Sequence, residues 1–314
     1  MPRRARVDWD AVNAAAPDGL ILVRDLRALG VPSSTIAFRC RKVGGSWWRP
    51  LLGLVALARG TLTVHQRLVA ALLVTGESAL VTGLAACRLH GLRNVPDHEV
   101  VHVLIGHKVR HRSENFLLAE RTKRMPTSRV LDDVRCAALP RALLDGARRL
   151  MRIDEVRALL CEAVQRHMVT VAALREEIEA GSCRGAALVR TVIVELEDGI
   201  RSAAEAWLRD LVNGMDDFPV VRWNADLRRP DGSLLARVDG LVEGVPLVIE
   251  LHSFEHHADL DTFDATMRRQ GELGAAGYIV VPVTPRELRE DPDGVRRKLR
   301  AALEEARALT ARAA

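Results

Sequence analysis

Residues 236–254 read ARVDGLVEGVPLVIELHSF, two apolar runs separated by EGVP. A connection of about four residues allows little except a hairpin. The runs RVDGLVE and PLVIEL are therefore expected to be adjacent strands in a mixed sheet with helices. Asp239 falls on the first strand, Glu250 near the end of the second, and His252 two positions on. Alternate side chains of a strand share a face, so Glu250 and His252 project together and Asp239 can reach the same edge. Two converging carboxylates suit a hard divalent cation, Mg²⁺ or Mn²⁺, with Asp239 and Glu250 as its ligands. Such an ion can activate water and neutralise phosphodiester charge. Glu205, in the preceding helical stretch SAAEAWLRDLV, is a candidate third acid. Acids also end strands simply as solvated edges, and the pattern alone does not choose. His256 and His257 are adjacent, point to opposite sides, and make poor joint ligands.

The rest of the tail alternates helix and strand: a helix near 202–213, strand-like VVRWNADL, a helix TFDATMRRQGELGAAG, a strand YIVVPVT and a long terminal helix. That alternation predicts an α/β sheet domain. The single tyrosine, Tyr278, opens a strand and is expected in the core. From Pro140 to about Leu196 the chain reads as helical, with Thr170 as a cap.

The front differs. DWDAVNAAA predicts a short helix entered at Asp8, and DGLILVRDLRALG a turn and a second helix stopped by Gly30. In VPSSTIAFRCRKV, Ser33 or Ser34 can cap a third helix. Ile36 and Cys40 share one face of it, Thr35, Arg39 and Lys42 another, with Arg41 alongside. This order predicts a helix-turn-helix. GGSWWRPLLGLVAL then supplies a helix break and two short strand-like runs around Arg49 and Pro50, the pattern of a β-wing. Trp47 and Trp48 should divide between core and wing. Residues 61–92 read as two helices, and 99–106 and 115–121 as strands. Charge follows this division: residues 1–130 hold 20 Lys+Arg against 9 Asp+Glu, and the remainder 26 against 32. The basic half is the one suited to nucleic acid. Ser34, Thr35, Arg39, Arg41 and Lys42 would meet a major groove or its phosphates, and Arg49 the backbone or minor groove.

Several classes are disfavoured. No apolar run is long enough to span a bilayer, and MPRRARVDWD lacks the apolar segment of a secretory signal, so a cytoplasmic location is expected. The 5 cysteines are dispersed without a C-x-x-C pair and read as buried thiols. No G-x-S-x-G, P-loop or H-E-x-x-H is present.

Two resemblances are carried by these residues. An Asp, a hairpin and Glu-x-His, in VDGLVEGVPLVIELHSFEHH, followed by MRRQGELGAAG and YIVVPVT, resemble the PD-(D/E)xK nuclease fold in its Vsr-like form over roughly residues 202–305. The resemblance implies catalytic roles for Glu205, Asp239, Glu250 and His252, with Mg²⁺ as cofactor. His252 departs from the lysine of that motif. GLILVRDLRALGVPSSTIAFRCRKVGGSWWRPLLGLVAL resembles the winged helix of AbiEi-type antitoxins of type IV toxin–antitoxin systems, with Leu54 in place of the usual tyrosine. VTGLAACRLHGL and PRALLDGARRL resemble the middle of long actinobacterial proteins that join such a winged helix to a nuclease-like tail.

The expected fold class is therefore multidomain α+β: a winged helix-turn-helix over 1–60, an antitoxin-like α/β middle region over 61–138, a helical region over 139–200, and a restriction-endonuclease-like domain over 201–314. The first functional expectation is a DNA-binding, antitoxin-like regulator whose nuclease-fold tail is a relic or a second DNA-binding platform. The alternatives are a Mg²⁺-dependent DNA endonuclease targeted by the winged helix, and a protein that binds a cognate toxin or itself. Double-stranded DNA is the expected partner, and no membrane is.

Overall fold

Asp8 caps the first helix, α1 (Trp9–Ala14), by accepting from the backbone N–H groups of Asp10 and Ala11. The computed structural model describes residues 7–229, 231–252 and 260–313, a mixed α/β chain of two compact units, Met1–Val194 and Glu195–Ala314. His256 and His257 lie outside the described residues. No helix among the described residues is long and apolar enough to cross a membrane.

In the first unit α1 is followed by β1 (Leu20–Leu22), α2 (Val23–Ala28), α3 (Ser33–Arg39) and β2 (Leu54–Ala56). Val12, Leu26, Val31, Ile36, Trp47 and Val55 close the core of this part. Two details differ from expectation. Pro32, not a serine, is the N-cap of α3, and no side chain caps it. Proline's fixed φ sets the helix entry, which leaves both serines inside the first turn. The strand-like runs around Arg49 yield one strand, β2. It pairs antiparallel with β1 and meets the other run only at the Trp48–Ala56 bridge. Pro50 has no N–H to extend that ladder. Trp47 is buried and Trp48 half-buried, divided as expected.

The same unit continues with α4 (Val64–Thr75), β3 (Leu80–Thr82), α5 (Gly83–Leu89), β4 (Val101–Gly106), β5 (Leu117–Thr122), β6 (Ser128–Leu131) and β7 (Val134–Ala137). The helices α6 (Leu139–Ala147), α7 (Ile153–Gln165), α8 (Val171–Ala180) and α9 (Ala187–Glu197) follow, the last running into the second unit. Thr82 is in a strand where a continuous helix was expected. The five strands form one sheet, in the order β5-β4-β3-β7-β6. Between the sheet and α6, Asp145 accepts from Thr82 Oγ1 at 2.8 Å and from Arg141 Nε, all three residues being buried. Cys87, Cys136 and Cys161 are buried, Cys40 is half-buried, and Cys183 is exposed, against the expectation that all are interior.

The second unit comprises α10 (Ala203–Asn213), β8 (Val221–Arg228), β9 (Leu234–Val242), β10 (Leu247–Leu251), α11 (Leu260–Ala275), β11 (Ile279–Val283), α12 (Pro285–Glu290) and α13 (Pro292–Ala313). Its sheet has the order β11-β10-β9-β8. The expected hairpin is there: β9 and β10 are antiparallel, with Val248 opposite Leu241 and Ile249 opposite Gly240. β11 joins β10 in parallel after the α11 crossover. Leu247 and Ile249 pack towards α10, α12 and α13, while Val248 packs with Leu273 of α11. A central strand covered on both faces explains the unbroken apolar run PLVI. Tyr278 precedes β11 and is partly buried, short of the core position expected of it.

Candidate functional site

The acid residues are placed by a break in strand alternation. Val221 and Trp223 of β8 pack on the α10 side, whereas Ala225 and Leu227 pack on the α11 side. Asn224 stands between them with φ 52, a left-handed conformation. Asn224 and Asp239 fall between the paired rungs Trp223–Gly240 and Ala225–Val238. Asp239 therefore lies at a kink shared by two strands. Its Oδ2 accepts from the Leu251 N–H at 2.7 Å, so the side chain takes over where the backbone pairing of β9 and β10 ends.

Glu250 is beside it, 1% exposed, with Oε1 buried and lacking a hydrogen-bond partner among the described residues. Its other oxygen is paired with Arg269 of α11, whose guanidinium also donates to the Arg237 carbonyl at 3.3 Å. Burial, with the charge of Asp239 added, pushes the Glu250 carboxyl up from 4.5 to about 7, against the pull of Arg269. His252 Nε2 is 3.1 Å from Gln270 Nε2, and the His252 N–H donates to the Val283 carbonyl. If the Gln270 amide donates, the neutral imidazole carries its proton on Nδ1.

Glu205 shares a small cavity with Asp239, Arg209, Trp223 and Asn224. Burial, and to a lesser degree Asp239, raises its carboxyl. Both its oxygens have helix-start duties, however: Oε2 accepts from the Arg201 N–H at 2.9 Å, and Oε1 from Ser202 Oγ at 3.1 Å. Ser202 in turn caps α10 by accepting the Glu205 N–H. Glu205 thus caps α10 and also lies close to Asp239, where the assisting acid was expected. Among the described residues, no group of three or more His, Cys, Asp and Glu side chains is arranged to hold a metal ion. Asp239 and Glu250 remain as a pair whose orphaned buried oxygen fits a cation. The one lysine of the tail, Lys298, is bound to the Pro282 carbonyl and Glu287.

No protein-family model matches the chain, and no curated protein matches it either.

The basic surface of the first unit has another geometry. Ser34 is exposed as expected, but Thr35 is half-buried, and so is Arg39. The Arg39 guanidinium lies 4.0 Å from the Trp9 ring centroid and 4.8 Å from that of Trp47. These rings meet edge-on at 6.0 Å and hold the cation expected to read guanine. The exposed row is instead Ser34, Ala37 and Phe38, continued past the helix end by Arg41. Phe38 was not among the expected contacts, because a sequence does not say which apolar residue of a helix lacks a cover. Arg41, Lys42 and Arg49 are exposed and form no ion pair among the described residues. Arg59 fixes the turn that carries the first two, donating to the carbonyls of Arg41 and Gly45. At Gly45 a Cβ would stand 2.4 Å from the Arg41 carbonyl oxygen and 2.5 Å from that of Arg39, so the turn admits only glycine.

Proposed function

We propose that this chain is a DNA-binding regulator of the antitoxin-like kind, its duplex contact made by α3 and the turn after it in a winged-helix arrangement. The carrying observation is the pair of exposed cations Arg41 and Lys42 on a turn locked by Arg59 and Gly45, with Arg49 also exposed beyond it. Cations free of carboxylates are available to phosphates, and each phosphate neutralised releases counterion and steepens the salt dependence. The test is a binding titration of the full chain on duplex DNA at two salt concentrations. Affinity should fall steeply with salt, and an unchanged affinity refutes the reading.

A second reading, a Mg²⁺-dependent DNA endonuclease, is favoured by the buried Oε1 of Glu250 beside Asp239, which has no hydrogen-bond partner among the described residues. Asp239 and Glu250 would hold the ion, which when bound supplies a Lewis acid for a phosphodiester and its attacking water. The chain's own contribution is then to exclude water around Glu250, to keep its carboxylate aimed through Arg269, and to hold the His252 ring through Gln270. Supercoiled plasmid cleavage in Mg²⁺ or Mn²⁺, lost in Glu250→Gln with DNA binding intact, is the result expected of this reading. Under the regulator reading neither protein cleaves.

A further inference from the structure

Phe38 is 59% exposed on a helix otherwise well anchored by Ile36. The Arg41 guanidinium lies 3.9 Å from its ring centroid. Leaving a phenyl ring in water forgoes the burial that a partner could supply. The ring is held all the same: the helix fixes its backbone, and Arg41, on the Arg59-bound turn, fixes one face. The other exposed residues of α3 and the turn after it include Ser34, Ala37, Arg41, Lys42 and Val43, with Arg49 exposed further along the chain.

A fitting partner is anionic and offers the Phe38 ring an apolar contact. The major groove of duplex DNA has that combination. Phosphates line it, and the C5-methyl of thymine is the apolar group on its floor. A second copy of this chain would bring Arg41 and Lys42 against the same cations, and like charges oppose that contact. We propose that Phe38, steadied by Arg41, is the residue through which α3 reads a thymine methyl. This assignment rests on the DNA-binding reading above and adds what is read.

The experiment starts with the full chain selecting duplexes from a random pool. On the selected duplex each thymine is replaced singly by deoxyuracil, which removes the methyl alone. Dissociation constants are then measured for the wild type, Phe38→Ala and Phe38→Leu. At one thymine the wild type should lose about fourfold, the worth of one buried methyl. Phe38→Ala should bind the thymine duplex more weakly by a similar factor and be indifferent to deoxyuracil. Phe38→Leu should keep part of the methyl preference. The salt slope should be the same for all three, because no phosphate contact is altered. A deoxyuracil penalty that persists in Phe38→Ala overturns the assignment, and so does a selected sequence with no methyl-sensitive thymine. In both of those cases DNA binding itself stands. Failure to enrich any duplex removes the DNA-binding reading and this assignment together. Loss of a concentration-dependent dimer in Phe38→Ala, with thymine preference unchanged, makes Phe38 a self-association surface instead.

Discussion

The α3 surface and the acid pair treat charge in opposite ways. Around α3 the cations that matter are left in water, with backbone carbonyls and a glycine fixing the turn beneath them. At the β9–β10 hairpin a carboxylate is drawn out of water next to another acid, with one arginine against it. Exposed charge costs little to keep and is available to any polyanion. Buried charge is costly unless something neutralises it, so it marks a place where a cation or a proton belongs. The first arrangement suits association, the second suits holding a small ion.

The sharpest test of this contrast is Glu250→Gln. The Glu250 carboxyl has its folded value, about 7, above the ordinary 4.5. The folded state therefore keeps a proton that the unfolded chain gives up. The contribution to stability is greatest below 4.5 and declines as pH rises to about 7. The wild type should lose roughly 2–3 kcal/mol between those limits, and Glu250→Gln should lack that slope. Urea unfolding of both proteins at pH 5 and pH 8 measures it. Mn²⁺ at pH 8 should restore stability to the wild type and not to the variant if the pair holds a metal. Equal pH slopes in the two proteins would mean that Glu250 is not the buried charge described.

Next in size is Gly45→Ala, where the added methyl meets two carbonyl oxygens. A loss of about 1–3 kcal/mol is expected, with weaker DNA binding because the turn carrying Arg41 and Lys42 must shift. Arg39→Ala should cost about 1–2 kcal/mol of stability through two lost indole contacts, while changing the salt slope of DNA binding little. A drop in that slope without loss of stability would return Arg39 to the groove. The smallest effect on folding is expected for Arg41→Ala, within about 0.5 kcal/mol as for other exposed positions. Its mark should be a salt slope shallower by about one.

The hairpin was legible in the sequence because a short turn leaves two apolar runs no other partner. The nearness of Asp239 to Glu250 followed from it. The capping duty of Glu205 was not separable from a metal-site duty in the sequence, because an acid three residues after a serine serves a helix start as well as it would serve a metal. Arg39 was misread because its fate depends on Trp9, which comes from a different helix. β3 escaped because three residues, LVT, are too few for a strand period to stand out before α5. The nuclease resemblance included the arginine-bearing helix MRRQGELGAAG, but the pairing of Arg269 with Glu250 depends on the crossover from β10 to β11 that carries α11.

That crossover also has a temporal consequence. Asp239 and Leu251, 12 residues apart, can meet as soon as the hairpin closes, whereas Arg269 is 19 residues from Glu250 and must travel with a whole helix. Contacts within a short loop form before those that need a crossover. On that ordering, Asp239 meets Leu251 before α11 brings Arg269 to Glu250. The counter-charge of the carboxylate thus arrives with the packing of a helix rather than with closure of the hairpin.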